Sequence, residues 1–159
     1  MSVRFGHGFD AHRLVAGRPF VMGGVRVEHD RGPLGHSDGD ALAHAVSDAI
    51  LGACALGDLG QHFPDRDPQW AHADSVALLS RVVALARAAG YQPNNVDATV
   101  VIESPRLSPH VDAMRARLAS ALGLEIDAVS VKAKTSEGMG YTGDGSGVAA
   151  YAVASVRRV

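Results

Sequence analysis

The segment from Val148 to Val156 is apolar on both faces. Val148, Ala150, Ala152, Ala154 and Val156 alternate to one side, and Ala149, Tyr151 and Val153 alternate to the other. A strand with one solvated face alternates apolar with polar residues, so this strand needs a cover on each side. Three segments carry helical periodicity, and helices of that number cover one face of a sheet. The second cover is then expected from another copy of the chain, which makes a homo-oligomer.

The remaining elements follow from spacing. Val3 to Phe9 is a short apolar-rich strand, and Pro19–Met22 and Val25–Glu28 flank Gly23-Gly24, a dipeptide suited to a tight hairpin. Leu42, Ala45, Val46, Ala49, Ile50 and Ala53 mark one face of a helix ending near Gly57, with Asp40, His44 and Asp48 on another face. Gly57 to His72, with Phe63-Pro64-Asp65-Arg66-Asp67-Pro68 at its centre, reads as a long exposed loop of the kind that carries function. Asp74 caps a second helix that stops at Gly90. Val96 to Glu103 is a β-branched strand. Ser108 caps a third helix with Pro109 in its first turn, and Val129 to Lys134 is a half-buried strand. The expected order is βββααβαββ, an α/β chain.

Composition narrows the class. At 159 residues and 47% hydrophobic, residues 1–159 are expected to form a single domain with a core large enough to need no metal or disulfide, so any metal serves function. Fifteen basic and seventeen acidic residues give a charge of -2, without the excess that binding a phosphate backbone requires; no nucleic-acid partner is expected. A lone Cys54 and the lack of an apolar run of about 18 residues point to a cytoplasmic protein without a membrane partner. Eight histidines and 18 glycines against 5% aromatics suggest polar ligand chemistry on glycine-shaped turns.

Asp10-Ala11-His12 places two donors on the same side of an extended segment. With His44 as a third arm they match a catalytic zinc site, three protein ligands and one open position. The competing reading is a turn-capping Asp10 beside surface histidines. Asp48, four residues beyond His44, is either an acceptor that orients its imidazole or a solvated helix acid. In His36-Ser37-Asp38-Gly39-Asp40, Ser37 or Asp38 can cap the helix; alternatively His36 and Ser37 face a phosphate. Lys132-Ala133-Lys134-Thr135-Ser136-Glu137, followed by Gly138 and Gly140, is a basic, hydroxyl-rich strand end able to cradle phosphate. Gly138 to Gly143 has dinucleotide-motif spacing but precedes a strand with too little chain left for a βαβ unit, and no glycine-Lys-Ser/Thr triplet or nucleophile elbow occurs. His7, His29, His62, His72 and His110 are taken as structural or surface residues.

Gly6-His7-Gly8-Phe9-Asp10-Ala11-His12, His36-Ser37-Asp38-Gly39-Asp40 with His44, Leu56-Gly57-Asp58-Leu59-Gly60, Phe63-Pro64-Asp65 and Lys132 to Gly138 occur in one order. Together they resemble the 2-C-methyl-D-erythritol 2,4-cyclodiphosphate synthase family from Val3 nearly to the C-terminus. The resemblance implies a phosphorus–oxygen lyase of non-mevalonate isoprenoid biosynthesis, which converts 4-diphosphocytidyl-2-C-methyl-D-erythritol 2-phosphate to the cyclic diphosphate and CMP. It implies a two-layer sandwich of a mixed sheet with helices on one face, its sheet facing the three-fold axis of a homotrimer with active sites between subunits.

Carried over, Asp10, His12 and His44 hold one Zn2+ per subunit, and Glu137 helps hold a Mg2+ or Mn2+ that bridges the substrate phosphates. His36 and Ser37 contact phosphate, and His36 with Thr135 stabilises the transition state. Asp58 and Gly60 bind the methylerythritol part under the loop from Phe63 through Asp65 to Asp67. Ile102, Pro105, Arg106 and Leu107 serve the cytidine diphosphate, with Lys134, Ser136 and Tyr141 completing that side. Association with neighbouring pathway enzymes also follows as an expectation.

Two positions depart from the family pattern. Asp144-Gly145-Ser146 stands where an Arg-Gly-Glu step commonly faces the three-fold axis, so no tight isoprenoid diphosphate binding is expected there. Lys134 stands where Thr is common. Two other classes compete, a zinc phosphoesterase using metal-bound hydroxide and a non-catalytic cytidine-nucleotide-binding trimer in which His36 and Thr135 are dispensable.

Overall fold

The computed structural model describes residues 2–159. β1 runs Val3–Ala16; β2 (Phe20–Met22) and β3 (Val25–Val27) form the expected hairpin over Gly23-Gly24, both with positive φ. β4 (Arg31–Pro33) leads into α1 (Ala41–Ala53), α2 (Leu59–His62) and α3 (Ser75–Ala88). β5 (Tyr91–Val101), α4 (Val111–Leu122), β6 (Val129–Lys134), α5 (Gly140–Gly143) and β7 (Gly147–Arg158) complete the chain. A five-stranded mixed sheet has the order β4-β1-β7-β5-β6, with only β5 and β6 parallel.

The doubly apolar strand is β7, at the centre of the sheet between β1 and β5. Its even-numbered residues Val148 to Val156 are all buried beneath α1, while Tyr151 and Val153 stay exposed. On β1, Phe5 and Phe9 share that open side, and the Phe9 and Tyr151 rings lie 5.1 Å apart. α1, α3 and α4 pack along the other side, on β1 and β7, on β5, and on β6.

α1 is not an ordinary amphipathic helix. Ten of its residues are buried, and the remainder, His44, Asp48 and Gly52, are four residues apart and so form one line along its surface. The helix lies very close to β1. A Cβ on Gly6 would come within 1.9 Å of the Ala49 carbonyl oxygen, and one on Gly8 within 1.8 Å of that of Ala45. No side chain fits there, so these two glycines set the distance between strand and helix.

Several sequence expectations need correction. β1 continues past Phe9 to Ala16 because it pairs with β7 and then β4, so ladder bonds extend it through polar residues. α1 ends at Ala53, not near Gly57, and Asp40 is its cap, accepting from Ala43 N. The 57–72 segment is not wholly loop: it contains α2 and a 3-10 turn, Pro68–Trp70. Asp74 caps α3 as expected, accepting from Val76 N. Ser108 opens a 3-10 turn instead of capping α4, which starts at Val111 without a side-chain cap.

Candidate functional site

Alternation along β1 sends Asp10 and His12 to the same side as Gly8, toward α1. The close glycine contact brings His44 down onto them. Asp10 Oδ2 lies 2.7 Å from both His12 Nε2 and His44 Nδ1, and the two imidazole nitrogens are 3.4 Å apart. Among the described residues this is the one group of three such side chains whose ligand atoms all lie within 4.8 Å of one another. Tetrahedral zinc with ligands at about 2.0–2.1 Å separates its donors by about 3.3 Å. The histidine pair already has that spacing, and the carboxylate oxygen needs to withdraw by about half an ångström. The donor set therefore fits a zinc ion, with an oxygen and two nitrogens converging from two rigid elements.

His12 is held from behind. Its Nδ1–H donates to the Leu34 carbonyl at 2.9 Å, which in the neutral ring leaves the Nε2 lone pair facing the cluster. Burial opposes ionisation of Asp10, but the hydrogen bonds and charges of His12 and His44 outweigh it and lower its pKa to about 2. Burial likewise works against the imidazolium of His44, yet Asp10, with Asp40 and Asp38 beyond it, raises its pKa above the ordinary 6.5.

The cluster lies in a cavity of about 390 Å³ whose wall includes Gly35, His36, Ser37, Asp48, Gly60, Phe63, Asp65 and Trp70. Ser37 Oγ is 3.1 Å from His44 Nε2, so Ser37 belongs to the site and caps no helix. His36 donates Nε2–H to the Asp67 carbonyl at 3.1 Å, and so ties the start of the motif to the 57–72 segment. Within that segment the Phe63 and Trp70 rings meet edge to face at 5.0 Å, and Arg81 of α3 lies over Trp70. Asp48 does not orient His44. Its carboxylate accepts the Leu59 N–H at 2.7 Å and fixes the start of α2, and burial raises its pKa. Asp58 is exposed and caps α2 through Gln61 N. Asp67 caps the 3-10 turn.

The other candidate residues gather elsewhere. Ile102, Pro105, Arg106 and Leu107 from the turn after β5 meet Lys134 and Thr135 at the end of β6 around a second cavity of about 380 Å³. It has no lining residue in common with the first. Ser136 and Glu137 are not part of its lining: Ser136 Oγ donates to the Met139 carbonyl and sits 2.6 Å from Thr142 Oγ1, and exposed Glu137 holds a left-handed backbone, φ 56°. Tyr141 lines a third hollow with His12, Arg13 and Ser146. Glu137 thus lies outside the Asp10–His12–His44 group.

One residue of the site escaped the sequence reading. Ser75, fully buried at the start of α3, has Oγ 2.8 Å from His44 Nε2 and donates to Asp38 Oδ1 at 2.5 Å. Its place beside a helix cap, Asp74, gave no signal of a second role.

Residues 3–157 match the model of the YgbB family. A Salinibacter ruber protein named 2-C-methyl-D-erythritol 2,4-cyclodiphosphate synthase is 60% identical over 155 residues, covering 98% of this chain and 99% of that relative. A solved 2C-methyl-D-erythritol-2,4-cyclodiphosphate synthase in a CDP-bound form superposes with a TM-score of 0.89 at 38% identity, over 97% of this chain and all of that one. The bifunctional IspDF of Campylobacter jejuni gives a TM-score of 0.95 at 36% identity, covering 99% of this chain and 43% of that longer one. With a three-donor cluster pinned by two glycines, and the same sequence pattern along nearly its whole length, the chain belongs to the YgbB family.

Proposed function

We propose that this chain converts 4-diphosphocytidyl-2-C-methyl-D-erythritol 2-phosphate to 2-C-methyl-D-erythritol 2,4-cyclodiphosphate and CMP; its relatives are named synthases of that cyclic diphosphate. The observation that carries the reading is the convergence of Asp10, His12 and His44 beside Ser37 and His36 in one cavity. The chain is a single domain that acts as a homotrimer. The metal-cluster cavity of one subunit meets the Ile102–Leu107 and Lys134–Thr135 cavity of the next, which is why the two share no residue within one chain. The open face of β1 and β7, where Phe5, Phe9, Tyr151 and Val153 are exposed in the single chain, is the surface that would pack about the three-fold axis. Among the described residues no helix is long and apolar enough to cross a membrane.

The 2-phosphate attacks the β-phosphorus of the same molecule; a P–O bond forms there and the bond to the α-phosphate oxygen breaks, releasing CMP. A phosphate monoester is largely ionised at neutral pH, so the nucleophile needs no general base. The chain's task is to hold two anions together in line, and a well-oriented internal attack has an effective molarity of about 10⁵ M or more. When bound, Zn2+ at Asp10, His12 and His44 and a second ion, Mg2+ or Mn2+, held with help from Glu137, supply Lewis-acid charge neutralisation. Ser37 and His36 bind phosphate oxygens, and Asp58 and Gly60 hold the methylerythritol hydroxyls. The segment with Phe63, Asp65 and Asp67 excludes water and so suppresses hydrolysis. Arg106, Lys134, Ser136 and Tyr141 anchor the cytidine diphosphate with Ile102, Pro105 and Leu107, and Thr135 with His36 stabilises charge in the transition state.

Phosphorus NMR of purified protein with this substrate and Mg2+ tests the reading. The coupled pair of a cyclic diphosphate and the CMP singlet are expected, and both are abolished by a chelator. Linear hydrolysis products would favour a phosphoesterase instead, and intact substrate with retained nucleotide binding would favour a binding module. The fusion architecture of the Campylobacter jejuni relative supports association with a neighbouring pathway enzyme.

A further inference from the structure

The two histidines of the cluster are held from behind by different kinds of group. His12 donates to a backbone carbonyl, which only accepts, so its orientation is fixed outright. His44 faces hydroxyls instead: Ser75 Oγ at 2.8 Å and Ser37 Oγ at 3.1 Å from its Nε2. A hydroxyl can donate or accept, and the two choices have opposite consequences. If a serine donates to Nε2, the proton of neutral His44 lies on Nδ1 and points into the cluster, where it blocks a metal. If the serine accepts, Nε2 carries the proton and the Nδ1 lone pair faces Asp10 and His12.

Asp38 removes the ambiguity for Ser75, the nearer of the two hydroxyls. Its carboxylate accepts only; Oδ1 takes the Ser75 hydroxyl at 2.5 Å and the Asp40 N–H at 3.0 Å, and Oδ2 takes the Ser75 backbone N–H at 3.0 Å. The single Ser75 proton is thus committed to Asp38, and Ser75 Oγ is left as an acceptor toward His44. The geometry points to Ser75 and Asp38 as positioning residues that hold His44 in its Nε2–H form and aim Nδ1 at the metal site. The chain Asp38–Ser75–His44 ties the segment before α1 and the first turn of α1 to the start of α3, 31 residues beyond His44. It rests on the metal reading given above, and it adds two residues with no atom in the Asp10–His12–His44 group itself.

Ser75 is fully buried and Ser75→Ala removes only its oxygen, leaving the helix cap Asp74 in place. Ser37 Oγ then remains beside His44 Nε2 with no carboxylate to direct its proton, and it can donate. Zinc affinity of Ser75→Ala, measured by chelator competition, is expected to fall by about 10- to 100-fold, with the melting temperature of the metal-free protein close to that of the parent. The parent binds one zinc per chain in the same assay; a parent that takes up none overturns the metal reading itself. A parent that binds zinc while Ser75→Ala matches it within about twofold overturns only the role of Ser75. A ¹⁵N-histidine spectrum of the zinc-loaded parent, independent of any variant, is expected to show the His44 proton on Nε2. A proton on Nδ1 with the metal on Nε2 overturns the proposal.

Discussion

At the residue scale, the cluster is a balance between protons and a cation. Asp10 is ionised far below neutral pH, and its charge raises the pKa of His44 above the ordinary 6.5, so a proton competes with zinc for His44 as the pH falls. Apparent zinc affinity should therefore fall as pH drops below the raised His44 pKa, approaching about tenfold per unit, and competition titrations from pH 8 down to about 5.5 measure the slope. His44→Ala should lose stoichiometric zinc and turnover together, with affinity down by at least about 100-fold. Turnover that survives without bound metal would refute the metal role. Asp10-x-His12 was legible because strand alternation needs no tertiary information. Ser75 was not, since a hydroxyl beside a helix cap looks the same in sequence whether or not a histidine from another helix lies across it.

At the scale of elements, what matters is how close α1 comes to β1. The Cβ of Gly8→Ala would sit 1.8 Å from a backbone oxygen, which no side-chain adjustment relieves. The helix must shift, and it carries His44 with it. Gly8→Ala is expected to cost about 3 kcal/mol in denaturant unfolding and to weaken zinc binding in the same protein. Unchanged stability with unchanged zinc affinity would show that the contact does not set the site. The sequence displayed Gly6 and Gly8 but not their reason, because that reason is a helix some 40 residues away. Asp40 is a similar case. It read as one of several acids, and is in fact fully buried, capping α1 and also accepting from Gly23 N and Gly24 N of the hairpin. The misplaced ends of α1 and α4 share a cause: a helix stops where its backbone finds other partners, and periodicity records only the buried face.

For the whole molecule, the open face of the sheet is what the proposed assembly rests on. Phe5 is 73% exposed and Val153 47% exposed in the single chain, an apolar surface of the kind that marks an interface. Sedimentation at micromolar concentration should find a trimer, and Phe5→Asp should shift it toward monomer while leaving the buried core intact. Asp144 is exposed, and the Ser146 hydroxyl and N–H lower its pKa, so it carries full charge at neutral pH. In the proposed trimer three such carboxylates about the axis would repel a diphosphate, so a geranyl diphosphate titration should show no saturation in the micromolar range. The sequence by itself determined the periodic elements, the doubly apolar strand, the Asp10-x-His12 pair and the order of motifs, because each depends on near neighbours along the chain or on direct residue identity. Only the tertiary structure decided that His44 reaches Asp10, that Ser75 and Asp38 stand behind it, and that two candidate cavities lie apart in one chain. Those facts depend on distances between segments, and packing sets such distances through contacts that no local pattern contains.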